Sequence, residues 1–588
     1  MRHHLISILL YFLLCLAVTY PVILDPVHTL IGDSHSDIWA HIWGNWRTER
    51  DLIQHFRIPY EESFINYPFG GNLYHVDLLN SVLSIPLRMI FGPILAQNIL
   101  IWMQLMFGGY AMYLLGLQLQ FSKWTSWTVG LIYAFCPFVL TLGLASGVTE
   151  RLNLMWIPLY VLCFLNVIEE RQWTWILGAV GCYIFATLGC WHYGLFLFLW
   201  SIPWTFFALS STDLSKIPSK ILDIGIKRLL PLAILSAIFS IPLSQKAFKS
   251  VGGESAIFDR SFDLFWDGVS NIHVINQATL TDFFAPFTMG LWVTKNYDLL
   301  YETIYIGLFT TFFALLSLFG RKSYPWMFFL CSVLFFTMSL GPDIRLYSNA
   351  EVFSSLFFYT IARYIPFIEA MEVPWEYSFM GIFCLVISAG YGMEFVYKNL
   401  PSKKWKAIIK MEILVLFILE TFWIAPVIAP IPSTDVIVPQ FYSKIAEQDG
   451  GAVFDFPSRR PYTALFPGEY FFYQSIHQRP IPHAIDETWL DQDSFWIHLS
   501  QHQQSVSNQT SLMTMFGHCW EGMPGGCNVL KKVQKKLRKN GYEYVILHKT
   551  KIPSQRWNDI VELFDTMLLE VATVEEDTFF RIYQLKSL

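Results

Sequence analysis

Long apolar runs separated by short polar segments make up most of the first 430 residues of this chain. Runs of about 17–25 apolar residues are typical of transmembrane helices, because a helix of that length crosses the hydrocarbon core of a bilayer. The pattern predicts about eleven such helices in a polytopic α-helical membrane protein, although several runs are short for a span. They cover residues 5–23, 94–117, 127–144, 154–167, 173–190, 194–209, 229–243, 303–319, 326–340, 377–396 and 407–424.

The composition supports this class of protein. The chain has 588 residues, of which 54% are hydrophobic and only 15% are charged. Soluble proteins carry roughly 25% charged residues, so most of this chain is expected to lie in lipid. The net charge of −6 argues against nucleic acid as a partner.

Lysine and arginine residues in the short loops predict the orientation. With Arg2, they fall on alternate loops, and the positive-inside rule assigns that side to the cytoplasm. The N-terminus is therefore predicted to be cytoplasmic, and the long loops 24–91, 246–301 and 341–376 to lie outside the cytoplasmic membrane. The basic residues are Lys123, Arg171, Lys216, Lys220, Lys227, Arg228, Arg321, Lys322, Lys398, Lys403, Lys404 and Lys406.

The first long loop contains two further apolar segments. Residues 37–56 carry Trp39, Trp43 and Trp46, with charged residues on the other faces, which favours an amphipathic helix in the membrane interface. Residues 78–91 are too short to span comfortably, so we interpret them as a second interfacial helix or a re-entrant helix.

Prolines at positions 426, 430, 432 and 439 mark a domain boundary. They divide the chain into a membrane domain, residues 1–430, and an extracytoplasmic domain, residues 431–588. The second domain is predicted to be α/β. Residues 452–456, 542–547 and 578–585 are predicted strands, and residues 530–540 a helix that ends at Gly541.

Two of the nine cysteines, Cys519 and Cys527, lie in this second domain. In an oxidising compartment they are a candidate pair for a disulfide that closes a short loop. The other seven lie in the predicted spans, where cysteine behaves as a small apolar residue.

A cluster of acidic residues and histidines, 32–37, follows the first apolar run. Carboxylates beside a bilayer are costly to desolvate, so Asp33 and Asp37 are candidate functional residues. If the segment is helical, the two carboxylates share one face. One could act as a general base, while the other, with His35 or His41, orients an acceptor or holds a divalent cation such as Mg²⁺ or Mn²⁺. Alternatively, Asp33 caps the following helix.

Three other external positions carry candidate site residues. Glu150 and Arg151 lie in a short turn between apolar runs, where Glu150 could face the same cavity as Asp33 and Arg151 could bind a phosphate as a bidentate fork. The alternative for this turn is an ion pair at the membrane surface. His192 could bind sugar or phosphate, or belong to an interfacial aromatic belt. Glu302 begins the eighth run.

Several short motifs together resemble the GT-C superfamily of membrane glycosyltransferases, in particular a bacterial subgroup with an extracytoplasmic C-terminal domain. One departure is the segment 371–377, which carries Glu372 and Glu376 where the subgroup has arginines. The motifs are the 32–37 cluster, Asn66-Tyr67-Pro68-Phe69-Gly70-Gly71 with Asp77, the segment 281–286, Glu302 through Gly307, Phe454-Asp455-Phe456-Pro457 and His477-Gln478-Arg479-Pro480.

The resemblance implies an enzyme that takes a sugar from a polyprenyl-phosphate donor. It would attach that sugar to a glycan, lipid or protein acceptor outside the cytoplasmic membrane. It also gives Glu302 a role in the substrate site. The alternative is a non-catalytic relative that binds or assembles lipid-linked envelope polymers, which the acids at 372 and 376 favour.

Overall fold

The computed structural model describes residues 2–72, 77–170, 172–210, 216–252, 277–284, 303–320, 323–346, 353–354, 368, 371, 373–425, 427, 429–448, 450–457, 468–483, 526–568, 570–576 and 578–586. The chain divides into two compact units. The first unit comprises Met1–His41, Val76–Gln245 and Ser261–Val436. The second unit comprises Ile42–His75, Lys246–Arg260 and Ile437–Leu588.

The first unit is helical. Two short strands, β1 (Thr29–Ile31) and β6 (Ser433–Asp435), pair antiparallel, and so do β4 (Asp343–Ile344) and β5 (Phe353–Ser354). The helices are Arg2–Val18, Leu78–Gln118, Lys123–Ala134, Val139–Ala145, Trp156–Glu169, Trp173–Gly189, Trp191–Leu209, Ile217–Lys220, Ile221–Leu229, Leu230–Gly252, Leu308–Ser317, Ser323–Ser339, Tyr377–Asn399, Lys403–Leu419 and Glu420–Ile424. The short turns Val22–Leu24, Leu280–Phe283 and Pro374–Glu376 complete the first unit.

Four helical segments are long and apolar enough to cross a membrane among the described residues. A fifth is added if Lys123–Ala134 and Val139–Ala145, which are bent by 54°, form one span. Five shorter apolar helices accompany them, and the chain is a membrane protein. The total of about eleven spans stays a prediction. The four segments are Leu78–Gln118, Trp191–Leu209, Ile217–Pro242 and Pro374–Asn399.

The helix Leu78–Gln118 joins two segments that the sequence predicts separately. Its backbone breaks at Gly92, where φ is 77° and ψ is 173°. Pro93 has no N–H to donate to the preceding turn, and only glycine adopts this positive φ readily. The predicted interfacial or re-entrant segment, residues 78–91, is thus a helix that leads through a kink into the span.

The helix Tyr377–Asn399 lies in the core of the first unit. It packs against the helices Lys123–Ala134, Leu308–Ser317 and Ser323–Ser339. Phe379 stacks on Tyr133 and Phe138, with ring centroids 5.7 and 5.0 Å apart. This packing holds the first turn of the helix, which carries Glu376, in one position.

The second unit contains a four-stranded sheet in the order β7-β8-β10-β9. The strands are β7 (Ala452–Phe456), β8 (Tyr542–His548), β9 (Ala572–Glu576) and β10 (Phe580–Leu585). β7 is parallel to β8, and the other pairs are antiparallel. A small ladder of β2 (Glu61–Glu62) and β3 (Gly71–Asn72) also belongs to this unit.

Alternate residues of the strands bury two different faces of this sheet. On one face, Phe454 and Val545 pack with the helices Gly526–Lys539 and Ser554–Leu568. On the other, Val453, Tyr544 and Ile546 pack with residues of the helices Gln440–Ala446 and Glu469–His477. The period of two along a strand produces this three-layer α/β arrangement.

The helix Ile38–Glu49 forms where the sequence predicts an amphipathic helix, but the interfacial interpretation of its tryptophans is wrong. Trp39, Trp43 and Trp46 are buried in protein. Trp43 packs on Phe471, with ring centroids 5.3 Å apart, and donates its indole N–H to Gln474 at 2.7 Å. Tryptophan side chains on one face of an amphipathic helix can be buried against another protein surface as well as in the membrane interface.

A buried ion cluster lies in the same segment. Nε of Arg47 and Nη2 of Arg50 lie 2.8 and 2.9 Å from one carboxylate oxygen of Glu62. Nε of Arg50 lies 3.1 Å from Asp51, and its guanidinium covers the ring of Phe64. These charges are tolerated in the interior because each is paired.

Candidate functional site

The carboxylate of Asp33 is held in a local turn. Its Oδ1 accepts a hydrogen bond from the backbone N–H of His35 at 2.7 Å and lies 2.9 Å from Nδ1 of the same histidine. The backbone N–H of Asp33 donates to the carbonyl of Ala145 at 2.9 Å. Asp33 is one-sixth exposed, whereas His35 is mostly exposed.

Two glycines allow this turn to approach the chain around residue 147. Gly32 has φ of 121° and Gly147 has φ of 64°, both in the region that favours glycine. A Cβ on Gly32 would lie 2.7 Å from Cα of Gly147, closer than any real contact. The position of Asp33 thus depends on the absence of two side chains.

Asp33 and Asp37 do not share a helical face. Residues 33–37 form turns, and the helix begins at Ile38. Asp37 is exposed, and its carbonyl accepts the N–H of His41 at 3.2 Å. The sequence analysis placed the two carboxylates on one face only if this segment were helical, and it is not.

A buried polar network surrounds His41. Nδ1 of His41 lies 3.3 Å from Oδ2 of Asp77 and 3.2 Å from the hydroxyl of Thr149. Thr149 also donates to Asp77, and the Asn80 side chain donates to Oδ1 of Asp77 at 2.7 Å. His41, Asp77, Asn80 and Thr149 are all buried.

Burial and charge shift both members of the His41–Asp77 pair. Burial lowers the pKa of His41, but the Asp77 carboxylate, with Glu150 and Asp37 nearby, outweighs burial and the net pKa is raised. Burial raises the pKa of Asp77 above its ordinary value, despite the hydrogen bonds from His41, Thr149 and Asn80.

Glu150 lies next to this network and is half-buried. Within the residues that the structure describes, its carboxylate has no hydrogen bond and no ion pair. Burial raises its pKa, as do the nearby carboxylates of Glu376 and Asp77, while His41 and Arg151 oppose the shift. A desolvated carboxylate without a partner is a suitable proton acceptor.

Arg151 and His192 converge on Glu376. Nε and Nη2 of Arg151 both lie 3.2 Å from Oε1 of Glu376, and Nδ1 of His192 contacts Oε2. The guanidinium also lies over the ring of Trp375, 5.4 Å from its centroid. The alternative of a surface ion pair at this turn is replaced by a partly buried triad, which joins the turn to the start of the helix Trp191–Leu209 and to the turn Pro374–Glu376.

Other predicted residues are not placed by the structure. Glu302, Glu372 and Cys519 lie outside the described residues. Cys527 lies in the helix Gly526–Lys539, so the disulfide with Cys519 stays a prediction. Seven other cysteines are buried free thiols, as expected for small apolar residues: Cys15, Cys136, Cys163, Cys182, Cys190, Cys331 and Cys384.

The sequence alone did not identify two residues of this site, Asp77 and Glu376, as candidate site residues. In the sequence, Asp77 was only part of a family motif, and Glu376 was only a departure from the pattern of that family. Both lie far along the chain from their partners, since 225 positions separate Arg151 from Glu376. Only the presence of a carboxylate beside an apolar run could have signalled them.

Comparison with known proteins identifies the fold. No family model and no curated protein matches the sequence. Solved structures do match. An oligosaccharyltransferase from Archaeoglobus fulgidus is 12% identical with a TM-score of 0.53, and the match covers 97% of this chain and 73% of that one. The arabinofuranosyltransferase AftD from Mycobacteria is 12% identical with a TM-score of 0.55, over 100% of this chain and 42% of that one.

ArnT from Cupriavidus metallidurans, bound to undecaprenyl phosphate, is 10% identical with a TM-score of 0.46, over 98% and 97% of the two chains. All three proteins are GT-C glycosyltransferases. The likeness to the oligosaccharyltransferase and to AftD, whose TM-scores exceed 0.5, gives the chain the GT-C fold that the sequence motifs predicted. At this level of identity the likeness concerns the fold and leaves the substrates to be argued from the site.

The described residues do not form a cation site. The A. fulgidus enzyme has also been solved with Zn and sulfate. In this chain, no three histidine, cysteine, aspartate or glutamate side chains converge within the described part. Asp33 is engaged by His35 and Asp37 is exposed.

Proposed function

We propose that this protein is a membrane glycosyltransferase that takes a sugar from a polyprenyl-phosphate donor. It transfers the sugar to a glycan, lipid or protein acceptor on the outer side of the cytoplasmic membrane. The observation that carries the proposal is Glu150, a half-buried carboxylate with no partner in the described part of the chain, beside the His41–Asp77 pair and Arg151. The distribution of basic residues among the loops supports a position of this site, and of residues 431–588, outside the cytoplasm.

Glu150 acts as the general base. It accepts the proton of the acceptor hydroxyl while that oxygen attacks the anomeric carbon of the sugar. The bond from the anomeric carbon to the phosphate oxygen breaks, and its electron pair leaves with the polyprenyl phosphate. Arg151 and His192 are the hydrogen-bond donors that would stabilise the negative charge on the leaving phosphate.

The other candidates support this step. The buried His41–Asp77 pair positions the turn that carries Thr149 and Glu150 and can return a proton to the site. Asp33 is the second candidate for the base, because its carboxylate is only partly covered by His35. His35 and Asp37 are exposed and are assigned to contacts with the acceptor.

The test is sugar transfer by the purified protein in vesicles that contain a panel of polyprenyl-phosphate sugars. Glu150→Gln keeps the shape of the side chain but cannot accept a proton, so we expect donor consumption to fall roughly 100-fold or more. Asp33→Asn should have a smaller effect, and Asp37→Asn the smallest. If Glu150→Gln and Asp33→Asn both retain wild-type rates, the catalytic assignment is wrong.

A second candidate is a non-catalytic protein that binds lipid-linked envelope polymers. The observation that favours it is the ion pair of Arg151 with Glu376, which engages the cation that a leaving phosphate would need. A wild type that binds the donors without consuming any of them would favour this function over the enzyme.

A further inference from the structure

We propose that Glu376 is an internal competitor for the donor phosphate: its carboxylate occupies the anion site formed by Arg151 and His192, and donor binding displaces it. This inference rests on the proposed function for the choice of a phosphate as ligand. It adds a regulatory contact to that site.

The Nε and Nη2 side of the Arg151 guanidinium is occupied by Glu376. Nε and Nη2 both point to one oxygen of Glu376, and Nη1 donates to the carbonyl of Leu142 at 3.3 Å. The second oxygen of Glu376 is taken by His192. A phosphate can bind to the Nε and Nη2 side of Arg151 only if the carboxylate leaves, because both of these groups point to Glu376.

The surroundings suit an anion that can be exchanged. Glu376 lies at the start of the helix Tyr377–Asn399, yet its side chain makes no capping hydrogen bond with that helix. A helix N-terminus stabilises negative charge, and a phosphate gains from it as a carboxylate does. Both ligands present oxygens that accept two hydrogen bonds from an arginine fork.

The exposed fractions of the three side chains indicate the side from which a phosphate replaces the carboxylate of Glu376. The side chain of Arg151 is 18% exposed and that of His192 is 16% exposed, whereas Glu376 is 7% exposed. Arg151 and His192 are thus more exposed than the carboxylate that they hold.

The experiment measures phosphate binding by the full chain in nanodiscs of zwitterionic lipid. Undecaprenyl phosphate and inorganic phosphate are titrated separately, and affinity is read from the shift of the thermal midpoint. Glu376→Gln removes the competing charge but keeps the shape, so we expect affinity for undecaprenyl phosphate to rise roughly tenfold or more. A parallel gain for inorganic phosphate shows that the phosphate alone is recognised. A gain confined to the lipid shows that the chain of the lipid contributes.

Two further variants serve as controls for this experiment. Glu394→Gln also removes a carboxylate from the first unit, but its partners are Ser122 and Thr125, so affinity should not change. Glu376→Asp keeps the charge but is one methylene too short to reach both cations, so a smaller gain is expected even if Glu376→Gln folds poorly. Unchanged or weaker binding in both Glu376 variants overturns the inference, because Glu376 would then only position Arg151 and His192. The assay measures binding of phosphate and not transfer of sugar. A failure of the proposed enzyme activity can therefore be distinguished from a failure of this inference.

Discussion

Nδ1 of His41 lies 3.3 Å from Oδ2 of Asp77, and the hydroxyl of Thr149 contacts both side chains. This contact joins the segment after the first helix to the start of the helix Leu78–Gln118 and to the turn that carries Glu150. Among the described residues, the candidate base Glu150 is therefore held in place by the buried network beside it and not by hydrogen bonds of its own carboxylate.

Replacement of Asp77 by Asn should destabilise the first unit. Asp77 is buried and balances His41, so its loss leaves the histidine without its charged partner at a cost of about 3 kcal/mol or more. Thermal unfolding in detergent, with the midpoint as readout, measures the loss. Asp25→Asn is the control, since Asp25 pairs with His28 at the exposed surface. Equal midpoints for the two variants would contradict the role given to Asp77.

The pH dependence of transfer should report the shifted pKa of Glu150. Burial raises this pKa above the ordinary 4.5, so the basic form is lost at a higher pH than for an exposed glutamate. The acidic limb of kcat/KM for sugar transfer should therefore lie above pH 4.5. A profile that stays flat down to pH 4.5 would rule out Glu150 as the base.

Replacement of Glu62 by Gln should destabilise the second unit. Glu62 compensates Arg47 and Arg50 in the interior, and removal of one member of a buried ion network costs ~3–5 kcal/mol. Chemical unfolding, followed by tryptophan fluorescence, measures it. Glu61 is the matched control, because it is the preceding residue and is exposed. We expect Glu61→Gln to unfold like the wild type, and comparable losses in the two variants would refute the burial argument.

His477 should make the second unit less stable in mild acid. Burial lowers the pKa of His477 from 6.5 to about 4, although Asp455 opposes the shift. Between these values the unfolded chain binds a proton that the folded chain does not, so stability falls as the pH drops from about 6.5 towards 4, by at most about 1.4 kcal/mol per pH unit. Unfolding measured at pH 7 and at pH 5.5 tests this sign.

The matched variant is His477→Asn, which keeps an acceptor for the backbone N–H of Arg479, at present bound to Nδ1 of His477 at 3.1 Å. Its stability should depend less on pH than that of the wild type. His28→Asn, at an exposed histidine, should leave the dependence unchanged. An unaltered slope in His477→Asn would assign the pH effect to other groups.

The local pattern of the sequence predicted the elements well because hydrophobicity and strand periodicity act over short distances. The apolar runs, the helix from residue 38, and the strands near 452 and 542 were all legible from their own residues. The GT-C fold followed from short motifs spread along the chain. The sequence did not predict what the faces of these elements pack against, since Trp43 and Trp46 fit a lipid surface or a protein core equally well.

By itself, the sequence determined that this is a membrane protein, which class of fold it has, and which charged residues lie next to apolar segments. Only the tertiary structure decided how those charges pair. It joined Arg151 to Glu376 across 225 positions and placed His41 beside Asp77, while it separated Asp33 from Asp37. The physical reason is that a buried charge is stable only beside a partner, and the partner is chosen by the packing of distant segments.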